Sequence, residues 1–149
     1  MTPSELIPHP EGGRFQEVFR SISQITTSTG DHRSALTHIY FHLREGEVSK
    51  FHKVTSDEVW NLYQGKLRLW FWDGDSEALG HIDLTPENQC YCYVIPAHYW
   101  QAAEPLSDEV LVGCSVGPGF DFVDFTMIDP KSAEANTLQN LNSYVKKFL

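Results

Sequence analysis

Turn signals interrupt this chain so often that long helices are excluded over most of its length. Gly12-Gly13, Thr29-Gly30-Asp31, Asp73-Gly74-Asp75 and Thr85-Pro86-Glu87-Asn88 each combine residues that favour tight turns. Between them lie about ten short runs rich in β-branched and aromatic side chains, bounded as strands are bounded. Thr37 to Leu43 is the clearest. On a two-residue period His38, Tyr40 and His42 share one face, and Thr37, Ile39, Phe41 and Leu43 share the other. Many short strands with turns between them predict an all-β barrel or sandwich of the jelly-roll kind. Only the end of the chain changes period. Leu138, Leu141, Val145 and Phe148 recur at three- and four-residue steps, which predicts an amphipathic helix over residues 131–149.

At 149 residues the chain suffices for one domain with a full core, and no linker or internal repeat divides it. Its formal net charge of -9 repels phosphate backbones and speaks against nucleic acid as a partner. Three cysteines, Cys90, Cys92 and Cys114, make no disulfide framework and no zinc spacing, so buried thiols are expected. No apolar run is long enough to span a bilayer and no signal peptide is visible, so the default is a cytoplasmic protein without a membrane partner.

The stretch GEVSKFHKVTSDEVWNLYQG, Gly46 to Gly65, carries the chemistry-bearing pair His52 and Glu58. Glu58, Trp60 and Leu62 fall on one face of a strand, and Val59, Asn61 and Tyr63 on the other. Gly46, His52, Glu58 and Gly65 resemble the first motif of the cupin superfamily, with Val54 where a second histidine is usual. VIPAHYWQAA resembles the second motif, with His98 in place of glycine and Gln101 in place of a metal-binding histidine. HPEGGRF, FHKVTSDEVWNLYQG and VGPGFDFVDF bring the chain closer to one subgroup, Cupin_5.

The resemblance implies a double-stranded β-helix, the cupin jelly-roll barrel, similar in fold to sugar-nucleotide epimerases. It also implies a homodimer formed through N-terminal strands. One domain over 1–149 would then comprise N-terminal, dimer-forming strands (1–36), a barrel core (37–128) and the C-terminal helix (131–149).

Cupin metal sites use three histidines and a glutamate. Here His52, Glu58 and Gln101 are the candidates for a weakly held divalent metal, which would converge at about 2.0–2.2 Å on one ion. No cofactor is called for beyond that. An epimerase-like reaction needs a base beside a carbonyl and an acid opposite. His52 or His38 could be the base, Glu58 its orienter and Tyr40 the proton donor. Trp60, Trp70, Phe120 and Phe122 are candidate walls for a sugar or nucleotide-sugar, and Arg14 could hold a phosphate. The plain alternative is that these are hydrogen-bonded core residues and aromatic barrel filling. Three functions stay open: a metal-independent isomerase or epimerase, a non-catalytic ligand-binding module, and a divalent-metal enzyme.

Overall fold

The computed structural model describes residues 3–149, so Met1 and Thr2 of the N-terminal lead-in lie outside the described residues. Thirteen strands are formed among the described residues: β1 (Ile7–Pro8), β2 (Arg14–Arg20), β3 (Gln24–Thr26), β4 (His32–Ser34), β5 (Thr37–Arg44), β6 (Ser49–Val54), β7 (Asp57–Gln64), β8 (Leu67–Trp72), β9 (Gly80–Leu84), β10 (Cys92–Ile95), β11 (Trp100–Pro105), β12 (Glu109–Gly117) and β13 (Phe125–Met127). One α-helix follows, α1 (Ala133–Leu141).

A six-stranded sheet runs β1-β2-β5-β12-β7-β10 and a five-stranded sheet runs β13-β6-β11-β8-β9, with β3 and β4 as a separate hairpin. Every pair is antiparallel. The expected jelly roll is therefore present. The N-terminal strands β1 and β2 extend the sheet of their own chain through the pairing of β2 with β5.

Alternation decides what each face buries. Phe41, Leu43, Trp60, Leu62, Leu69 and Val112 meet between the two sheets as the main core. A second core forms on the outer side of the five-stranded sheet, where Phe51, Trp70, Trp72 and Trp100 receive Leu138 and Phe148 from the C-terminal segment. Each large apolar side chain buried in this way contributes roughly 1.5–3 kcal/mol.

Two local expectations are corrected. The C-terminal helix ends at Leu141. Asn142 is extended (φ -157, ψ 112), its side chain accepts from the Tyr144 N–H, and a 3-10 helix, Ser143–Phe148, completes the stripe. An asparagine offers the backbone this local alternative to a continued helix. Asp121 caps a 3-10 turn, Phe122–Asp124, by accepting from the Val123 N–H, and β13 begins only at Phe125. Cys92 is exposed, because it sits on the edge strand β10, while Cys114 is buried. His98, which stands where the resembled motif has glycine, has φ +71, so the left-handed backbone is kept without glycine.

Candidate active site

The loop before β2 makes the first wall of the site. His9 and Gly13 close a tight turn (His9 N–H to Gly13 O, 3.1 Å), and the Lys50 N–H binds the Glu11 carbonyl at 2.8 Å. The turn lies flat on β6. Gly12 has φ +115, and a Cβ there would sit 2.1 Å from the Val48 carbonyl oxygen. Only glycine tolerates both the conformation and the contact. The result is that Glu11 points inward between the sheets and is 5% exposed.

There it meets His52 of β6. The His52 Nδ1 lies 2.7 Å from the Lys50 carbonyl oxygen. A carbonyl only accepts, so Nδ1 carries the proton and Nε2 of the neutral ring is the acceptor. Nε2 faces Glu11 Oε2 at 3.0 Å. Glu11 Oε1 accepts from the Ser49 hydroxyl at 2.9 Å. Enclosure disfavours charge on both partners: the Glu11 carboxyl is pushed up to about 8 and the His52 imidazole is pulled down. Both directions describe a neutral pair in which Glu11 Oε2–H donates to His52 Nε2.

Glu58 of β7 lies next to this pair. Its Oε1 accepts from Gln101 Nε2 at 3.0 Å, and Gln101 Oε1 accepts from the Trp60 indole N–H at 2.7 Å. Burial, partly offset by His52, raises the Glu58 carboxyl to about 7. Cys114, hydrogen-bonded to Glu58, is buried and its thiol is pushed far up, so it is a neutral thiol. His9 stands against Glu11, accepting the Glu11 backbone N–H on Nδ1 at 3.2 Å. Burial pulls its imidazole down to about 3, with His52 adding to the effect.

These groups border a cavity of about 310 Å³. Its walls are mostly apolar, with Phe15, Ile39, Phe120, Phe122 and Phe125 prominent among them, and Glu17, Arg20 and Asp121 add the charged groups. Arg20 is held by Glu17 at 2.6 Å and by the Phe120 carbonyl at 3.1 Å.

The residues singled out in the sequence separate into two groups. His52, Glu58, Phe120 and Phe122 line the cavity, and Gln101 stands behind Glu58. His38 and Tyr40 lie on the other side of β5, where His38 bonds Ser115 Oγ (2.7 Å) and Tyr63 OH (2.8 Å). Trp60 is core, 1% exposed. Trp70 lies beneath the C-terminal segment, stacked on His81 and Tyr144. Arg14 binds His42 and Glu47 on the outer face. Glu58 does not orient His52 by a hydrogen bond; Glu11 does. Glu11, His9, Arg20 and Cys114 were not among the expected site residues. The PEGG sequence was the available signal, since a double glycine after a glutamate marks close backbone approach.

The donor set does not fit a divalent metal. Gln101 Oε1 is committed to Trp60, Val54 has no lone pair, and no group of three His, Cys, Asp or Glu residues converges among the described residues.

A family model described as Cupin superfamily (DUF985), Cupin_5, matches residues 2–128. A solved protein of Shewanella oneidensis is 30% identical, covering 97% of this chain and 90% of that one, with a TM-score of 0.83. A hypothetical protein of Leishmania major is 26% identical, covering 95% and 89%, with a TM-score of 0.78. KdgF from a Halomonas species is 17% identical, covers 80% and 91%, and has a TM-score of 0.58, which speaks to fold alone. No curated protein matches the chain. With nearly its whole length matched by the family model, and with the jelly-roll sheets and enclosed barrel site of that superfamily, the chain belongs to the Cupin_5 family of cupins.

Proposed function

We propose that the cavity binds a sugar-sized carbonyl compound and moves a proton at the carbon beside the carbonyl, as a metal-independent isomerase or epimerase does. The observation that carries this reading is the enclosed group of Glu58, Glu11 and His52 on a mostly apolar cavity wall. A carboxyl raised to about 7 is close to half ionised at neutral pH, which is the condition for an efficient proton acceptor and donor. Glu58 takes the proton as the C–H electron pair moves into the carbon–carbon bond and the carbonyl oxygen gains negative charge. Returning the proton to the same carbon on the other face inverts that centre; returning it to the former carbonyl carbon, while the neighbouring hydroxyl proton passes to the former carbonyl oxygen, completes the isomerisation. The Glu11–His52 pair serves as the second proton store. Gln101, fixed by Trp60, positions the Glu58 carboxyl.

Size and charge support a free sugar over a nucleotide-sugar. About 310 Å³ is at the small end for ligand sites. A diphosphate would have to lie outside it, and the charged lining residues there are Glu17 and Asp121, with Arg20 already bound to Glu17. Phenylalanine faces suit the apolar side of a sugar ring.

The test is incubation in deuterium oxide with a panel of aldoses and ketoses, read by NMR. Deuterium at the carbon next to the carbonyl, lost in Glu58→Gln, is the expected outcome. Ligand-induced thermal stabilisation without deuterium incorporation would support a binding module instead.

A further inference from the structure

The ring of His9 is the one histidine of the site with a nitrogen left over. Its Nδ1 accepts the Glu11 backbone N–H at 3.2 Å and lies 3.5 Å from Glu11 Oε2. Those contacts place the ring proton of a neutral imidazole on Nε2. Nε2 donates to no protein group among the described residues, yet no buried side-chain nitrogen lacks a partner, so this nitrogen is open to the cavity His9 lines. The ring cannot turn away. Phe15 (4.7 Å), Phe125 (5.8 Å), Phe41 (5.9 Å) and Phe122 (6.0 Å) hold it on several sides.

We propose that His9 Nε2–H is the hydrogen-bond donor that receives the ligand's carbonyl oxygen and stabilises the negative charge that oxygen gains. This assignment rests on the proton-transfer reading above and names its electrophilic partner. A fixed, neutral donor in an apolar wall is the arrangement that stabilises such an oxygen without reorganisation. Burial pulling the imidazole down to about 3 keeps it neutral through the physiological range, so it donates a hydrogen bond rather than a proton. The ligand class follows: a compound presenting an acceptor oxygen toward the phenylalanine-lined end, with its reacting carbon toward Glu58.

The experiment is two-bond ¹H–¹⁵N NMR of histidine-labelled protein from pH 5 to 8, with and without acetohydroxamate, a small neutral mimic of the enediolate. The expected result is a neutral His9 with the proton on Nε2 across that range, and an Nε2–H signal that moves on adding the probe. His9→Phe should weaken acetohydroxamate binding about five- to tenfold, and His9→Gln, which restores an N–H, should recover most of it. An imidazolium at pH 6, or a proton on Nδ1, overturns the assignment. So does a probe that shifts His52 while leaving His9 unmoved, although the cavity reading then survives. Absence of any binding by wild-type protein overturns the cavity reading and this assignment together.

Discussion

Two histidine clusters lie on opposite sides of the six-stranded sheet, one on the outer face of β5 and the other in the space between the sheets, carried by β6 of the five-stranded sheet. On the outer face, His42 accepts from Arg14 Nη1 (2.8 Å) and donates to Glu109 Oε2 (3.0 Å). Between the sheets, His52 of β6 donates to the Lys50 carbonyl and pairs with Glu11. Both rings have each nitrogen engaged and a carboxyl partner. The partners differ in their access to water. The Glu109 side chain is 53% exposed, whereas Glu11 is 7% exposed. Water reaches the Glu109 carboxyl outside, while enclosure forces the inner pair toward neutrality. The same pair of residue types is thus an anchor on the outer face and, in the proposed reaction, a proton store in the interior.

The largest test of that contrast is Glu58→Gln, which keeps the shape and the Gln101 contact. Proton exchange on the active sugar should fall by at least about 100-fold, with the melting temperature near or above that of the wild type at pH 8. A retained rate would remove Glu58 from the chemistry.

Next in size is the loop that delivers Glu11. Gly12→Ala combines φ +115 with a 2.1 Å clash against Val48 O. A loss of ~2 kcal/mol or more in urea melts is expected, together with a changed His52 titration.

The pH dependence of stability sharpens the comparison further. Glu11 and Glu58 are raised from an ordinary 4.5 to about 8 and about 7. The folded state holds their protons more tightly, so their contribution is full below pH 4.5 and is lost as pH rises through 7 to 8. His9 is lowered from 6.5 to about 3, and His52 is lowered too. Their contribution is full above pH 6.5 and is lost as pH falls. A plot of melting temperature against pH should therefore peak between 4.5 and 6.5. Glu11→Gln should flatten its alkaline side. An alkaline side unchanged by Glu11→Gln would mean that this carboxyl is not held protonated.

The smallest effects belong to the outer face. His38→Ala removes bonds to Ser115 and Tyr63 and should cost ~1 kcal/mol in denaturant melts. Tyr40→Phe should alter proton exchange by less than about twofold. A large loss of activity in either variant would place the chemistry on the wrong side of the sheet.

The period-two alternation made most of the fold legible, and it correctly put Glu58 and Trp60 on one face. It could not say which face of β5 lines the cavity, because His38 and Tyr40 read as well for chemistry as for a hydrated surface. Trp60 shares the parity of Glu58 but lies further into the core, where its indole finds Gln101. Parity gives a side, not a depth. Glu11 escaped notice because its role depends on a loop packed against β6, a contact between residues 38 positions apart. The 3-10 turn at Phe122 was hidden by side-chain capping from Asp121, which mimics no strand signal.

The hydrogen-bonded chain from Trp60 through Gln101 to Glu58 gives the protein a built-in optical indicator. An indole N–H 2.7 Å from an amide whose other end grips a titrating carboxyl should change its emission as that carboxyl gains or loses a proton. Trp70, Trp72 and Trp100 sit in the other core and supply a steady background. The difference in fluorescence between wild type and Trp60→Phe, followed across pH, would read the state of the barrel interior without any added label.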